Sequence, residues 1–335
     1  MLKAIIIGSG DVVVDRHAPL LADLAEVVSV VAVTTRRPDR HAMVERGLGY
    51  SVRRIATLAD AIEAEADIAL VAVPESAMFD VASLVVNAGF ATYIEKPMAA
   101  DSIAASKLGD AIRLSNRPAV IGENFRHQQR FSVARSAIGA QKITHVAVRD
   151  RLRRGMRSNP RSDDELIREQ IVHSASAVRF VLGDTIAEVV AARREQLGSA
   201  LTLQVDAVSS ADIPIRIALE LTNTWSEDRY SFTMGNDASL ELKHNYDFST
   251  KLYNDRLETW AAANDLVQFS EFIGADSGMT SLWHLLIDAV IDGSETDLAL
   301  IGEGIRDIQF REAVDTCIKF QRSVPIPRAM ASTFS

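Results

Sequence analysis

Across the first 125 residues, short apolar runs alternate with stretches of helical periodicity. Lys3 to Ile7 reads as a strand, Arg16 to Leu24 as a helix, and Val27 to Thr34 as a second strand. That second run is almost continuously β-branched, as suits a sheet buried on both faces. Helices follow at Pro38 to Arg46 and, behind a Thr57 cap, at Leu58 to Glu65. Ile68 to Val73 is a third strand ending at Pro74, and Ala77 to Ala88 is a helix stopped by Gly89. Thr92 to Ile94, Ser102 to Ser115 and Ala119 to Gly122 complete the series as strand, helix and strand. Strict alternation predicts an α/β domain with a doubly wound, Rossmann-type parallel sheet.

Beyond residue 125 the pattern changes. A helix (Gln128 to Ala137) and a strand (Thr144 to Asp150) lead into a loop rich in Arg, Ser, Asn and Pro. Glu165 to Leu182 is a helix stopped by Gly183. Strand-like runs then succeed one another at Ile186 to Arg193, Leu201 to Val208, Ile213 to Thr222, Arg229 to Met234 and Ala238 to His244. Turn signals such as Gly235-Asn236-Asp237 between them predict a large, mostly antiparallel sheet in an α+β domain. Helices return at Ser281 to Ile291 and Gly304 to Phe320. The expected domains are 1–125 and 126–335, with the last helix packing back toward the first.

Composition narrows the class. Of 335 residues, 47% are apolar and 24% charged, which excludes disordered and fibrous chains. A formal charge of -9 argues against nucleic acid or an anionic membrane as partner. Arg151-Leu152-Arg153-Arg154 is a local basic cluster that reads as a solvated or substrate-facing loop. With one cysteine, Cys317, no intrachain disulfide can form, and Cys317 reads as a small core residue. No apolar stretch approaches the roughly 20 residues that span a bilayer. A soluble, cytoplasmic protein is expected.

Three pieces of sequence carry chemistry. Gly8-Ser9-Gly10-Asp11-Val12-Val13 follows the first strand and has the form G-x-G-x-x-V. Its first glycine permits a tight turn and its second lets backbone approach a pyrophosphate at a helix N-terminus. The second strand ends Thr34-Thr35-Arg36-Arg37-Pro38-Asp39-Arg40, without the acid that usually holds an NAD ribose. A hydroxyl beside guanidinium groups suits a 2'-phosphate, so NADP(H) is the expected cofactor. The expected binding set is Gly8, Ser9, Gly10, Asp11, Val12, Thr35, Arg36, Arg37, Arg40, Val73, Pro74, Glu95 and Lys96. No metal is expected.

Glu95-Lys96-Pro97 closes the fourth strand, and a lysine at the carboxyl end of a parallel strand lies where open α/β sheets hold ligands. In isolation it reads better as a solvated loop lysine. Glu169 and His173, in Arg168-Glu169-Gln170-Ile171-Val172-His173, are spaced i, i+4 and share one helix face. A carboxylate and an imidazole so placed can relay a proton; alone they read more readily as a surface pair or a structural histidine. His17 reads as packing, and Trp225, Trp260 and Trp283 as core or interface.

Together these pieces resemble the glucose-fructose oxidoreductase, inositol dehydrogenase and MocA (Gfo/Idh/MocA) family. The resemblance includes the glycine turn, Ala69-Leu70-Val71-Ala72-Val73-Pro74, Asn87-Ala88-Gly89 leading to Glu95-Lys96-Pro97, and Gly122-Glu123-Asn124-Phe125-Arg126. It continues through Glu169 to His173 and Val178-Arg179-Phe180-Val181-Leu182-Gly183, and closes on Val324-Pro325-Ile326-Pro327. It implies that Lys96 lies beside the nicotinamide and the reacting hydroxyl or carbonyl. His173 then completes the catalytic group, with Glu169 where the family commonly has Asp. Three departures touch the substrate pocket: Glu165-Leu166-Ile167-Arg168 replaces a Gly-rich run, Ser176 replaces a frequent Asp, and Met78 a frequent His. Asn124, Arg126, His127 and Ser176 are candidate substrate residues.

The expected function is transfer of hydride between NADP(H) and a carbinol or carbonyl carbon of a sugar, cyclitol or sugar derivative. Lys96 and His173 would then share one cleft between the domains, in a homodimer or homotetramer. Reduction of a C=N or conjugated double bond is a second reading of the same fold, and a non-catalytic NADP-binding regulator is a third.

Overall fold

In a computed structural model the described residues are 1–128, 131–132, 135–136, 143–153, 162–223, 230–234, 238–247, 252–261, 269–273, 278–293 and 298–327. They form two compact units: Met1–Glu123 with Met279–Ile308, and Asn124–Gly278 with Gln309–Ser335.

The first unit is built on a six-stranded sheet of β1 (Leu2–Ile7), β2 (Val28–Thr34), β3 (Arg53–Ile55), β4 (Ile68–Val71), β5 (Ala91–Ile94) and β6 (Ala119–Ile121). The order is β3-β2-β1-β4-β5-β6 and every pairing is parallel. Continuous apolar runs are needed because both faces are covered. Ala4 and Ile6 join a core with Leu282, Trp283 and Leu286, while Ile5 and Ile7 join another with Val85, Leu108 and Ile301. The strand order reverses between β1 and β4, so the carboxyl ends of these strands face the crevice where such sheets bind ligands.

The connecting helices are α1 (Ala18–Asp23), α2 (Pro38–Leu48), α3 (Leu58–Ile62), α4 (Glu75–Asn87) and α5 (Ser102–Ser115). The Thr57 hydroxyl accepts from the Asp60 amide and caps α3, as the sequence predicts. The helix expected from Arg16 starts earlier and is compound: a π-helical turn, Val13–His17, precedes α1. The edge strand β3 has only three residues, two of them exposed arginines, so no hydrophobic pattern announces it. From late in the chain, α7 (Met279–Asp292) returns and packs beside β5 and β6. In α8 (Leu298–Phe320), residues up to Ile308 belong to this unit and those from Gln309 to the other.

The second unit contains β7 (Val146–Arg153), α6 (Asp163–Leu182), β8 (Ile186–Leu197), β9 (Ala200–Ser209), β10 (Pro214–Thr222), β11 (Tyr230–Met234), β12 (Ala238–Asp247), β13 (Leu252–Ala261), β14 (Phe269–Ile273) and β15 (Val324–Pro325). A six-stranded sheet runs β11-β7-β10-β9-β8-β15; β7 and β10 pair in parallel and the remaining neighbours are antiparallel. A separate three-stranded sheet has the order β12-β13-β14. Alternate residues of β9 (Leu201, Leu203, Val205, Ala207) and β10 (Ile215, Ile217, Leu219, Leu221) are buried in a core shared with α6 and Cys317. That is the period of a sheet with one covered face.

Several expected features fall wholly or partly outside the described residues. Of the helix expected at Gln128 to Ala137, residues 131–132 and 135–136 are helical and the rest is Gln128 or lies outside the described residues. The turn at Gly235 to Asp237, Arg154 and Trp225 also lie outside them. Among the described residues no helix is long and apolar enough to cross a membrane.

Candidate functional site

The glycine turn leaves β1 with Gly8 at φ +112°, and a Cβ there would collide with the carbonyl oxygen of Ala72 at the end of β4. Only glycine fits. Gly10 differs: nothing lies within 4 Å of where its Cβ would be, while its carbonyl accepts from the amides of Val13 and Val14 at 3.1 Å. The turn therefore runs straight into a helix and keeps open room over its backbone, which fits a pyrophosphate.

The end of β2 is tied to this turn. The Ser9 and Thr35 hydroxyls lie 2.7 Å apart. From α2, Arg40 donates to the Ser9 carbonyl at 2.7 Å and to Asp11 at 2.8 Å, with 8% of its surface exposed. Arg37 pairs with Asp39 at 2.6 Å on the surface, and that hydrogen bond raises its pKa. Arg36 is exposed and makes no ion pair among the described residues. Of the three arginines expected to meet a 2'-phosphate, Arg40 braces the loop, Arg37 has an acidic neighbour and Arg36 is uncommitted. Val12 and Val73 are half-buried beside the turn, and Pro74 caps α4.

A denser network holds the Glu-Lys-Pro turn at the end of β5. The Trp283 indole N–H donates to Nδ1 of His17 at 3.0 Å, and His17 Nε2 lies 2.7 Å from Glu95 Oε1. Because an indole nitrogen only donates, Nδ1 must accept; the proton then sits on Nε2 and is given to Glu95. The other Glu95 oxygen accepts from the Lys96 amide at 3.2 Å. On β6's side, a Cβ on Gly122 would come within 3.2 Å of the Glu95 carboxylate. The Lys96 amine lies 3.7 Å from Glu123 Oε2, with side chains only 7% and 2% exposed. Tyr93 stacks on Trp283 at 5.1 Å and meets His17 edge-on at 5.0 Å. Burial, then the charges of Glu95 and Glu123, push the Tyr93 hydroxyl well above its ordinary pKa.

The sequence reading of His17 as packing is half the matter: the ring is fully buried, but it also clamps Glu95. Glu123 and Trp283 were missed as parts of the site. A carboxylate just past a strand end was the available signal for Glu123; a partner 266 positions from His17 left none for Trp283.

In the second unit, Glu169 and His173 are half-buried on α6. The His173 ring stacks on Phe125 with centroids 4.4 Å apart, and Phe125 stacks in turn on Phe131 at 5.4 Å. Phe125 belongs to a 3₁₀ turn, Asn124–His127, that packs on α6. Arg126 in the same turn lies 5.7 Å over the Phe180 ring. On the adjoining stripe of α6, Gln170 and Ser174 donate at 2.6 and 3.2 Å to Asp150 of β7, which is wholly buried. The candidate substrate residues separate: Asn124, Arg126 and His127 are half-buried on the turn, whereas Ser176 is only 2% exposed within α6. Glu165 accepts from the amide and hydroxyl of Ser162 in a capping box, so it stands in the helix cap. Met78 is a core residue of the first unit. Among the described residues no three His, Cys, Asp or Glu gather to hold a metal ion.

Residues 2–123 match the model of the GFO_IDH_MocA oxidoreductase family, NAD-binding Rossmann fold. This segment is a Gfo/Idh/MocA domain. Solved structures resemble the chain beyond that domain. An oxidoreductase from Agrobacterium radiobacter, solved in complex with NAD+, L-tartaric acid and magnesium, is 16% identical with a TM-score of 0.77, over 97% of this chain and 98% of that one. A putative NADPH-dependent oxidoreductase from Desulfitobacterium hafniense is 17% identical with a TM-score of 0.77, over 97% of each chain. The transcriptional regulator Gal80p from Kluyveromyces lactis is 13% identical with a TM-score of 0.78, over 98% of this chain and 95% of that one. No curated protein matches the chain in sequence. At such identities the structural likeness speaks for the fold alone, and it extends over nearly the whole of this chain in all three.

Proposed function

We propose that this chain is an NADP(H)-dependent oxidoreductase acting on a carbinol or carbonyl carbon of a sugar, cyclitol or sugar derivative. The observation that carries the reading is the Lys96 amine, 7% exposed and facing a buried carboxylate at the carboxyl end of β5 in an NAD-binding Rossmann domain. The bound dinucleotide supplies or accepts the hydride. Lys96 gives a proton to the oxygen of the carbonyl being reduced, and holds the hydroxyl in the reverse direction. His173 is the second acid/base, with Glu169 on the same helix face setting its tautomer. Ser9, Gly10 and the start of the following helix receive the pyrophosphate, and Arg36 with Thr35 receives the 2'-phosphate.

Binding decides the cofactor. The dissociation constant for NADPH should be at least about tenfold below that for NADH, the worth of one charge-assisted hydrogen bond. Arg36→Ala should remove most of that gap, whereas Arg40→Ala should weaken both cofactors, because Arg40 braces the Ser9–Asp11 turn. Equal constants in the unmodified protein refute the NADP assignment, and the A. radiobacter relative's NAD+ would then be the better guide. A panel of polyols, sugars and carbonyl compounds, read at the nicotinamide absorbance, tests the chemistry.

A non-catalytic dinucleotide-binding regulator is the second reading, favoured by the likeness to Gal80p. Tight NADPH binding without turnover across the panel selects it.

A further inference from the structure

We infer that Glu123 is the positioning residue of Lys96, its buried carboxylate holding the ammonium where the proton is transferred. The inference rests on the reading of Lys96 as proton donor and adds a residue to it. Two carboxylates adjoin the lysine, and their tasks differ. Glu95 is spent on the turn: one oxygen accepts from His17 and the other from the Lys96 amide. Gly122, having no side chain, leaves the space that Glu95 occupies. Glu123 is placed by the backbone of β6 and the residues after it, where the Gly122 amide donates to Ile94 and the Glu123 amide to Ile121 at 2.8 and 2.6 Å. Its Oε2 and the Lys96 amine are both buried, and neither has a hydrogen-bond partner among the described residues.

At 3.7 Å the pair is an ion pair too long for a hydrogen bond. Attraction in a water-poor setting holds the amine, yet its N–H groups stay available for a substrate oxygen. A lysine on a four-carbon stem otherwise has wide rotamer freedom. Glu123 removes that freedom without consuming the donor.

Glu123→Gln, Glu123→Asp and the unmodified protein are to be compared by steady-state kinetics and by NADPH binding. In parallel, Lys96 is labelled with trinitrobenzenesulfonate, and the extent is measured against exposed Lys107 by peptide mapping. Glu123→Gln should lower kcat by about 10- to 100-fold, the usual penalty for a misplaced catalytic group, with substrate KM and NADPH affinity unchanged. Glu123→Asp should fall between, and Lys96 should label severalfold faster in the Gln variant. Unchanged kcat, or a loss confined to NADPH affinity, overturns the inference. If the unmodified protein turns over no substrate, the proton-donor reading fails by itself and labelling decides whether Glu123 holds the amine. An unchanged Lys96-to-Lys107 ratio then refutes the contact. Should Glu123→Gln not fold, Glu123→Asp decides by the same readouts.

Discussion

The turn after β5 and the half-buried Glu169–His173 face of α6 carry the two halves of the proposed chemistry, and they are built in opposite ways. Lys96 is tied to distant parts of the chain: directly to Glu123, just past β6, and through Glu95 to His17 of the first helical turn and Trp283 of α7. Every one of those side chains is nearly or wholly buried. Glu169 and His173 owe their shared face to helix periodicity, and the His173 ring is backed by the aromatic plane of Phe125. The lysine is tied to side chains from three distant segments; the histidine takes its place from helix periodicity and a ring stack. The contrast predicts which positions tolerate change.

Lys96→Met gives the largest expected effect. It should lower kcat by about 10²- to 10⁴-fold, the range for a lost general acid, and leave NADPH affinity nearly intact. His173→Ala should fall in the lower part of that range. If both groups serve one proton transfer, the double variant should be little worse than Lys96→Met alone, since residues acting as a unit lose activity non-additively. Losses that multiply would mean that Lys96 and His173 act in separate steps. Full turnover in Lys96→Met would make the lysine structural.

Next in size is Trp283→Phe, which keeps most of the ring volume and deletes the N–H that fixes the His17 tautomer. A buried acceptor left without its donor costs about 1–3 kcal/mol, seen as a lowered melting temperature. Turnover should drop with it, because Glu95 loses its clamp. Thermal melting and kcat measured together check this; a variant with unaltered stability and kcat would show that the indole only fills space.

The unequal construction also governs what could be read from sequence. β1, β2, β4, β5 and β6 declare themselves because burial on both faces demands unbroken apolar runs, and Gly8 declares itself because Ala72 leaves no room for a side chain. Lys96, Glu169 and His173 stand out by motif and spacing. The residues that support Lys96 do not. Nothing in the local pattern of His17, Glu123 or Trp283 says that three distant segments converge on one turn. The same limit hid β3, whose exposed arginines carry no period; for β13 and β14, beyond His244, the sequence reading named no element. Arg40 shows the reverse error of emphasis: its spacing suits a phosphate, but its guanidinium is occupied by Ser9 and Asp11.

The smallest expected effect tests whether α6 is anchored at its ends rather than around His173. Its start is closed by the Ser162–Glu165 capping box, and its end by Gly183 at φ +65°. Asp184 follows immediately and accepts from the Ser210 hydroxyl, from the Thr185 amide at 2.7 Å and from the Ala211 amide at 3.0 Å. Burial alone would raise its pKa, but these hydrogen bonds, with one from Ser209, outweigh it and hold the carboxyl below its ordinary 3.8. A folded-state pKa below the unfolded one means that folding favours the ionised form. The stability this gives is complete above the unfolded value and disappears as pH falls through the folded one. Asp184→Ala should therefore lower stability by about 1 kcal/mol or less at pH 7, the group being largely solvated. The difference in melting temperature from the unmodified protein should hold down to about pH 5 and shrink below about pH 4. Activity, if His173 depends on Phe125 and not on this loop, should be unchanged at pH 7. A kcat loss as large as that of His173→Ala would show instead that the end of α6 sets the position of its catalytic face.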